Sequence, residues 1–506
     1  MKVGKINPVL FRSSNTVTKP EKQKTEQKNI SGELAVTPDF AVSVPAKYTK
    51  ISQDKLPNGL EVHSYKLANG YRVTVVPMEG SPAVVKNYVN VGSMNETDDI
   101  KGISHFLEHM AFNGTTGEDG YIKLETGDSF KRIDALGGWT NASTSYAVTD
   151  YVNSTPVLEE KDLEEQIKII AAMTENLALT DKMIEKEKGP VCSEINMIMD
   201  DPMTIALDQT LRSVFNIKSS ADEMVAGSIE HIKNLTRGDV KKYYDKYYTP
   251  QNMNLVVTGD VSPDEVIELV AKNFKSTKVR SGMPYEEQLR PTQESVRKDF
   301  ISNKANQTEI VLGFAGPKNN DIKSDIISDI LSDYLASTSV GINKELTKFN
   351  ASPEYFKEKI STNPNNPSLL YYAFNTSEEN SEVALKIVYD KLNNLKAPTE
   401  KELKNMISHY MQQYNEIMEY SDVVNSVIGY SILDGNFNNE FERERILNSI
   451  TTEDVQEYID KYLDISKAAL TVVHPDTCSE NVLSNYNNAS ELTFKGGTNR
   501  LPLNTA

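Results

Sequence analysis

Residues 102–112 read GISHFLEHMAF, and the function of the chain is best approached from this stretch. His105 and His109 are four residues apart, so on a helix they lie on one face, one turn apart, and both imidazoles can reach a single metal ion. Glu108 lies close to the same face and can contact a metal-bound water without binding the metal. Catalytic zinc takes three protein ligands and keeps one position for water, so these residues predict a Zn²⁺ site that needs a third ligand from elsewhere.

Two histidines at helical spacing are often ordinary surface residues. This chain has only six histidines, however, and two of them fall in this one turn with a carboxylate between them. The positions around them are apolar, which is not typical of a solvated surface helix. These apolar neighbours are Ile103, Phe106, Leu107, Met110 and Phe112. We therefore favour a metal site.

The composition is that of a large globular protein. The 506 residues exceed one ordinary domain and predict two or more. The net charge of -18 argues against nucleic acid as a partner; it would suit basic peptide substrates, although such a surplus usually just keeps a surface solvated. No apolar run approaches the length of a membrane-spanning helix, so no membrane partner is expected. Cys192 and Cys478 are the only cysteines, which leaves no disulfide framework and predicts a reducing compartment, the cytoplasm.

A second informative helix is predicted over residues 183–199. Glu187 and Glu194 are seven residues apart, two turns along one face of a segment that also carries apolar residues at helical spacing. Pro190 lies inside the segment, which allows a kink or a break near Gly189. Glutamates on helices are normally solvated, but the metal site needs a third ligand and this segment offers two acids. Spacing alone does not choose between them.

The segments around the histidine helix have the pattern of β-strands. Strands are expected at residues 59–65, 71–76 and 83–91. Residues 139–146 alternate polar and small side chains and continue to residue 152, which predicts one strand suited to a sheet edge. A long amphipathic helix is expected over residues 158–179.

The chain contains an internal repeat. Residues 239–247 (DVKKYYDKY) return as residues 454–462 (DVQEYIDKY) at an offset of 215, and at the same offset the strand pattern LVV at 255–257 returns as LTV at 470–472. Tyrosine-rich helices recur by chance, but a helix and a strand at one offset favour a duplicated domain. The predicted fold class is α+β, with two homologous domains, each a mainly antiparallel sheet with helices packed on one face.

The repeat divides the chain into predicted parts. The second copy has no counterpart of the histidine pair, because His409 and His474 are isolated and are both expected to serve structure. One copy therefore holds the chemistry, and its twin supports or encloses it. The predicted parts are a disordered N-terminal tail at 1–46, a catalytic zinc domain at 47–285, a linker at 286–298, a second homologous domain at 299–478 and an irregular C-terminal tail at 479–506.

With these motifs the chain resembles the pitrilysin/insulinase family of zinc metallopeptidases, which includes mitochondrial processing peptidases and many bacterial relatives. Residues 105–115 (HFLEHMAFNGT) look like the family's active-site helix, with the inverzincin motif H-x-x-E-H. Residues 185–194 look like its second helix. The resemblance implies that the zinc ligands are His105, His109 and Glu194, that Glu108 is the catalytic base and that Glu187 is a second catalytic acid.

The resemblance also implies substrate contacts. Residues 140–144 (TNAST) are similar to the edge strand on which family members hold substrate, which would place Asn141 and Ala142 against the peptide. Phe112 either lines the pocket beyond the scissile bond or packs in the core, and the two alternatives are about equal.

One position departs from the family pattern. Active members carry an Arg and a Tyr seven residues apart that grip the substrate backbone from across a chamber. The corresponding stretch here is 340–348, in which the Arg position reads Thr347, and Lys348 with Tyr355 is the pair that could substitute. Lysine is a poorer planar donor than arginine.

The family encloses its substrate with four such domains, supplied by one long chain or by two shorter ones. This chain supplies two, so the expected partner is a second family subunit or a second copy. The expected function is that of a zinc-dependent endopeptidase that hydrolyses peptides or unfolded segments held by strand addition. The alternatives are a non-catalytic or partner-dependent subunit of a heteromeric peptidase or assembly complex, and a metal-binding protein without turnover. The retained metal ligands argue against a non-catalytic subunit, because such members typically lose them. Glu108 argues against a metal-binding protein without turnover, because such a site has no use for a base.

Overall fold

A computed structural model describes residues 47–217, 225–279, 289–336, 341–351, 353–361 and 363–477. The predicted tails at 1–46 and 479–506 lie outside the described residues, as does Cys478. Cys192 is a free thiol within them. None of the helices in the described ranges is long and apolar enough to cross a lipid bilayer.

The described residues form twelve strands in two sheets, with helices around them. The strands are β1 (Tyr48–Lys55), β2 (Glu61–Leu67), β3 (Arg72–Pro77), β4 (Ala83–Val89), β5 (Trp139–Thr144), β6 (Thr149–Thr155), β7 (Met253–Gly259), β8 (Val296–Ser302), β9 (Thr308–Lys318), β10 (Glu354–Glu358), β11 (Pro367–Thr376) and β12 (Ala469–Pro475).

The helices of the first half are α1 (Ile103–Ala111), α2 (Asp128–Ala135), α3 (Glu160–Glu175), α4 (Asp181–Met199), α5 (Pro202–Phe215), α6 (Ile229–Asn234), α7 (Arg237–Tyr247) and α8 (Pro263–Asn273). Those of the second half are α9 (Ile322–Ala336), α10 (Asn343–Leu346), α11 (Glu378–Asn393), α12 (Glu400–Ile417), α13 (Ser421–Asp434), α14 (Phe437–Glu440), α15 (Arg443–Asn448) and α16 (Thr452–Tyr462). Short 3₁₀ turns occur at Ser93–Asn95, Pro250–Asn252, Thr347–Phe349 and Ile465–Lys467.

The two sheets share one topology. The first has the strand order β1-β2-β3-β7-β4-β6-β5, and the second has the order β10-β11-β9-β12-β8. Read from its other end, the second sheet matches the last five strands of the first, and in both the opening pair is parallel and the remaining pairs are antiparallel. The predicted duplication of an α+β domain is therefore confirmed. Strands β1 and β2 are an addition to the first copy.

The repeated helices also begin in the same way. Helices α7 and α16 are each capped by a threonine whose hydroxyl accepts a hydrogen bond from the N–H of an aspartate three residues on, and the aspartate carboxylate accepts the threonine N–H in return. The pairs are Thr236 with Asp239 and Thr451 with Asp454. Each helix leads into a central strand, so the offset found in the sequence is a structural repeat.

Side chains of the central strands alternate between two apolar layers. In β7, Leu255 and Val257 pack under the helices of the first domain, whereas Val256 between them packs with residues of the second domain. In β12, Leu470 and Val472 likewise face their own helices. The sheets are thus buried on both faces.

The second face of each sheet is covered by a helix from the other domain. Helix α5 packs on β9 and β12, while α13 packs on β7 and β4. Gly429 on α13 allows this approach, because a Cβ at that position would overlap the ring of the buried Tyr88. Each domain packs its own helices on one face, as predicted, and the exchanged helices join the domains.

Three local predictions need correction. Residues 139–152 form the hairpin of β5 and β6 rather than one strand, because the N–H of Ser145 bonds the carbonyl of Val148 and turns the chain. The helix predicted over 158–179 is the shorter α3. Strand β8 already begins inside the predicted linker 286–298. The other domain boundaries remain predictions.

The second helix is continuous, so of the kink or break that Pro190 allows, no break occurs. Helix α4 runs through Pro190, which lacks the N–H that would continue the hydrogen-bond ladder. Ile184, Val191 and Ile195 lie on both sides of the proline and are all buried against the core. This burial holds both halves of the helix against the same core.

Candidate active site

Helix α1 is anchored at its N-terminus. Gly102 has a φ of 87°, and a Cβ there would overlap the carbonyl oxygen of Ala226, so glycine is required. The buried carboxylate of Glu96 accepts hydrogen bonds from the N–H groups of Gly102 (2.7 Å) and Ser104 (2.8 Å). These bonds satisfy donors that a helix terminus leaves without partners.

One face of α1 forms core and the other forms the candidate site. The buried apolar residues are Ile103, Phe106, Leu107, Met110 and Ala111. The polar residues His105, Glu108 and His109 contact side chains of α4 and β5 instead. Burial of the apolar face therefore fixes the direction in which the two imidazoles point.

Helix α4 brings Glu194 to the two histidines. Glu194 Oε1 is 3.6 Å from His105 Nε2, and its Oε2 is 3.1 Å from His109 Nε2. The two Nε2 atoms are 3.2 Å apart. Across the described part of the chain, this is the one group of three histidine, cysteine or acidic side chains close enough together to hold a metal ion.

The cluster combines opposite charges. Burial lowers the pKa of His109, but its hydrogen bonds to Glu187 and Glu194 outweigh this effect and raise the pKa to about 10. Hydrogen bonds from His105 and His109 hold the pKa of Glu194 well below its usual range. Glu194 is therefore ionised, and a metal bound here would displace a proton from His109.

Glu187 lies behind His109. Its Oε1 is 3.0 Å from His109 Nδ1, and its Oε2 accepts a hydrogen bond of 2.6 Å from Asn113 Nδ2. A carboxylate on the second nitrogen of an imidazole fixes the orientation and the tautomer of the ring. The family resemblance implies that Glu187 is a second catalytic acid. Its contacts in the structure are those of a residue that orients the ring of His109.

Glu108 lies between α1 and the end of β5. Its Oε2 accepts a hydrogen bond of 2.6 Å from Thr144 Oγ1. Burial raises the pKa of Glu108, while His105 and the Thr144 hydroxyl oppose that shift. The side chain remains partly exposed, so a reacting group can approach it.

Strand β5 is the edge of the first sheet and carries the predicted substrate residues. It pairs with β6 on one side only within the described residues. Asn141 is partly exposed, and Ala142 faces the core. The main chain of β5 is therefore available at the edge beside Glu108.

Phe112 ends α1 and packs at the rim of the core. Its ring stacks on Phe130 of α2, with the ring centroids 4.8 Å apart. Phe130 is 47% exposed, so the stack extends from the core to the surface. Both sequence-based alternatives for Phe112, pocket wall and core packing, are compatible with this position.

Lys348 and Tyr355 do not join the cluster. Tyr355 is 6% exposed and faces the helices of the second domain, where its hydroxyl is 3.0 Å from that of Tyr458 and accepts a hydrogen bond from Ser328. Lys348 is exposed on a 3₁₀ turn. Alternation along β10 turns Tyr355 inward. Tyr355 thus packs among core residues, and its contact with substrate remains a prediction.

Sequence reasoning did not assign roles to two residues of the site. Asn113 bonds Glu187, and Thr144 bonds Glu108. Asn113 is four residues after His109, so helical spacing could have suggested a shared face. Thr144 lies in the quoted edge strand, but no local pattern connects it to a glutamate 36 residues earlier.

Two family models match the sequence. Insulinase (peptidase family M16) matches residues 79–226, which contain the whole cluster, and the peptidase M16 inactive domain matches residues 234–410. Together they cover more than half of the chain. The chain belongs to peptidase family M16, the insulinase family. The resemblance seen in the motifs is thus confirmed.

Proteins similar to this M16 chain include zinc proteases. The zinc protease PqqE of Helicobacter pylori is 29% identical over 259 residues, which are 50% of this chain and 56% of that protein. The chain spans about half the length of the curated relatives it matches.

Solved structures share the two-domain fold. A protease from Helicobacter pylori has a TM-score of 0.72 at 21% identity, covering 82% of this chain and 99% of that one. The periplasmic protease PqqL from Escherichia coli has a TM-score of 0.65 at 18% identity, covering 90% of this chain and 52% of that one. At these identities the likeness shows the fold alone.

Proposed function

We propose that this protein is a zinc-dependent endopeptidase that hydrolyses peptides or unfolded polypeptide segments. The observation that carries the proposal is the convergence of His105, His109 and Glu194, with Glu108 beside them on the same helix. Membership of a family whose relatives bear the name zinc protease supports it.

The donor set fits zinc. Ligand atoms around a tetrahedral Zn²⁺, at about 2.1 Å from it, are about 3.4 Å from one another. The three donor separations in the cluster are 3.1, 3.2 and 3.6 Å. Two imidazoles and one carboxylate are ligands that catalytic zinc uses, and the carboxylate of Glu187 on the outer nitrogen of His109 is the usual support for such a ligand.

The chain's own residues would perform the proton transfers. Bound Zn²⁺ would lower the pKa of water towards neutrality and polarise the scissile carbonyl. Glu108 accepts a proton from the attacking water as the C–O bond forms, and gives it to the nitrogen as the C–N bond breaks. The products are a carboxylic acid and an amine, and transfer of the acid's proton to the amine gives a carboxylate and an ammonium group. Glu187 and Asn113 act through His109 by holding its ring.

Substrate would bind as an added strand on β5. The free edge of β5 offers main-chain donors and acceptors beside Asn141 and Ala142, so the peptide would be held largely through its backbone. Such binding depends little on the side chains of the peptide, so we expect broad sequence specificity. The stacked rings of Phe112 and Phe130 offer an apolar contact beyond the scissile bond.

The activity would require a partner, either a second copy of this chain or a second subunit of the family. This chain matches 52% of PqqL, whereas it matches 99% of the Helicobacter pylori chain, so both chain lengths exist in the fold. The rival proposal is a non-catalytic subunit. The complete set of metal-binding side chains, His105, His109 and Glu194, argues against it. A cytoplasmic location remains a prediction, and PqqL is described as periplasmic.

The test is cleavage of a fluorogenic peptide by the purified full chain. We expect hydrolysis that a chelator abolishes and that added zinc restores. The matched control is the Glu108→Gln chain in the same assay, which removes contaminating proteases as an explanation. Hydrolysis that is unaffected by both the chelator and Glu108→Gln would reject the proposal.

A further inference from the structure

We infer that Thr144 is a positioning residue whose hydroxyl holds the carboxylate of Glu108 in the orientation needed to accept the proton. The inference rests on the proposed function. It is carried by the hydrogen bond of 2.6 Å from Thr144 Oγ1 to Glu108 Oε2, which joins the last residue of β5 to α1.

Only one oxygen of Glu108 is held. Within the described residues, Oε2 bonds Thr144 and Oε1 has no protein hydrogen-bond partner. Rotation about the last side-chain bond of a glutamate is otherwise broad and weakly constrained. The Thr144 hydroxyl therefore limits that rotation and leaves Oε1 as the oxygen open to the reacting water.

The hydroxyl projects from a well-held part of the sheet. Thr144 pairs with Thr149 at the end of the β5–β6 ladder. Its neighbour Ser143 donates a hydrogen bond of 3.0 Å to Asp150, which also forms an ion pair of 3.1 Å with Lys86. These contacts fix the backbone from which Thr144 reaches Glu108.

The same strand would align the substrate. A peptide added to the free edge of β5 takes its register from the main chain of β5, and Glu108 takes its orientation from a side chain of that strand. The scissile bond and the base are thereby located against one element. Errors of about 1 Å in such placement cost about 100-fold in rate, so this shared anchor matters.

The test replaces Thr144 with residues of similar shape. Thr144→Val removes the hydroxyl, and we expect kcat to fall about tenfold, the loss of one hydrogen bond to a charged group, with KM changed less than about twofold. Zinc content stays at the wild-type level. Thr144→Ser restores the hydroxyl and most of kcat. Thr155→Val is the matched control, because Thr155 lies on the neighbouring strand β6 and its buried hydroxyl has no partner in the described ranges.

Crystal structures of the variants supply a measurement that does not depend on activity. We expect the Glu108 carboxylate to be rotated in Thr144→Val and unmoved in Thr144→Ser. If Thr144→Val does not fold, Thr144→Ala replaces it in both measurements.

An unmoved carboxylate with wild-type kcat in the Thr144 variant would overturn the inference, as would an equal loss in Thr155→Val. A wild-type chain that binds no zinc would refute the proposed function instead. In that case the crystal structures still decide whether Thr144 holds Glu108.

Discussion

His109 lies between two glutamates of α4, and its replacement tests the proposed metal site directly. His109→Ala removes one donor of the cluster and the partner of Glu187, so we expect zinc to fall from about one ion per chain to near zero. Elemental analysis of the purified protein measures this. His231→Ala is the control, because His231 bonds Ser228 outside the cluster and its loss should leave the zinc in place. Stoichiometric zinc in His109→Ala would show the ligand assignment to be wrong.

Glu108→Gln separates metal binding from turnover. The change keeps the shape of the side chain but removes the proton acceptor, so we expect zinc to be retained and kcat/KM to fall by about 100-fold or more. Glu185→Gln is the matched control, since Glu185 is exposed on α4 and pairs only with Lys188 among the described residues. Peptide cleavage at the wild-type rate by Glu108→Gln would mean that another group is the base.

Single residues differ in how far the sequence could predict them. The spacing of His105 and His109 is local, so helical periodicity was enough to place them together. Glu194 needed the family resemblance, because its distance along the chain carries no spacing rule. Tyr355 was predicted to contact substrate and is buried, since the direction of a strand side chain depends on a register that no local pattern showed.

At the scale of elements, the start of α1 predicts a pH dependence of stability. Burial raises the pKa of Glu96 to about 7, although the N–H groups of Ser104 and Gly102 oppose the shift. The folded state therefore binds the proton more tightly than the unfolded state. Protonation of Glu96 therefore stabilises the folded state. This contribution is full below the unfolded pKa of about 4.5 and is lost as the pH rises through the folded pKa of about 7.

Comparison with Glu96→Gln isolates this effect, because the other titrating groups cancel between the two proteins. We expect the free energy of unfolding of the wild type, minus that of the variant, to fall by roughly 3 kcal/mol between pH 4.5 and pH 8. Urea unfolding of the metal-free proteins measures it. A difference that rises with pH would mean that the two N–H bonds outweigh burial and that the pKa of Glu96 is lowered.

Elements were predictable where a periodic pattern was strong. Strand β12, which follows α16, was matched to β7 by the repeated helix and strand in the sequence, and the two sheets agree with that match. The exchange of α5 and α13 was not predicted. An amphipathic pattern shows that a helix face is buried and does not show which sheet buries it.

At the scale of the whole molecule, the exchanged helix α13 makes the domains depend on each other. Asn425 is fully buried on α13; its amide donates to the carbonyl oxygens of Val84 (3.1 Å) and Val256 (2.9 Å), and its Oδ1 accepts from the Tyr88 hydroxyl (3.0 Å). All three partners lie in the first domain. Asn425→Ala leaves buried polar groups unpaired, so we expect the free energy of unfolding in urea to fall by about 2–3 kcal/mol. Asn405→Ala, at an exposed position on α12, should change it by less than about 0.5 kcal/mol; an equal effect of the two changes would contradict this role.

The last prediction concerns assembly. The cluster of His105, His109 and Glu194 is only partly covered by the described residues, since the side chains of His109 and Glu194 are 22% and 27% exposed and β5 pairs on one side only among those residues. A site open to water loses both substrate alignment and exclusion of solvent, so we expect an isolated monomer to be weakly active or inactive. Lys348 and Tyr355 do not join the cluster within this chain, so the grip implied by the family resemblance would come from a partner.

A dilution series with light scattering separates the possible partners. If the partner is a second copy, activity per chain falls as dimers dissociate, and an excess of the inactive Glu108→Gln chain restores the activity of dilute wild type by re-forming the enclosure around it. If the partner is a different subunit, activity stays low at every concentration, and the added Glu108→Gln chain does not raise it. Full activity in a monodisperse monomer at all dilutions would refute the requirement for a partner, because the open site would then have been sufficient for catalysis.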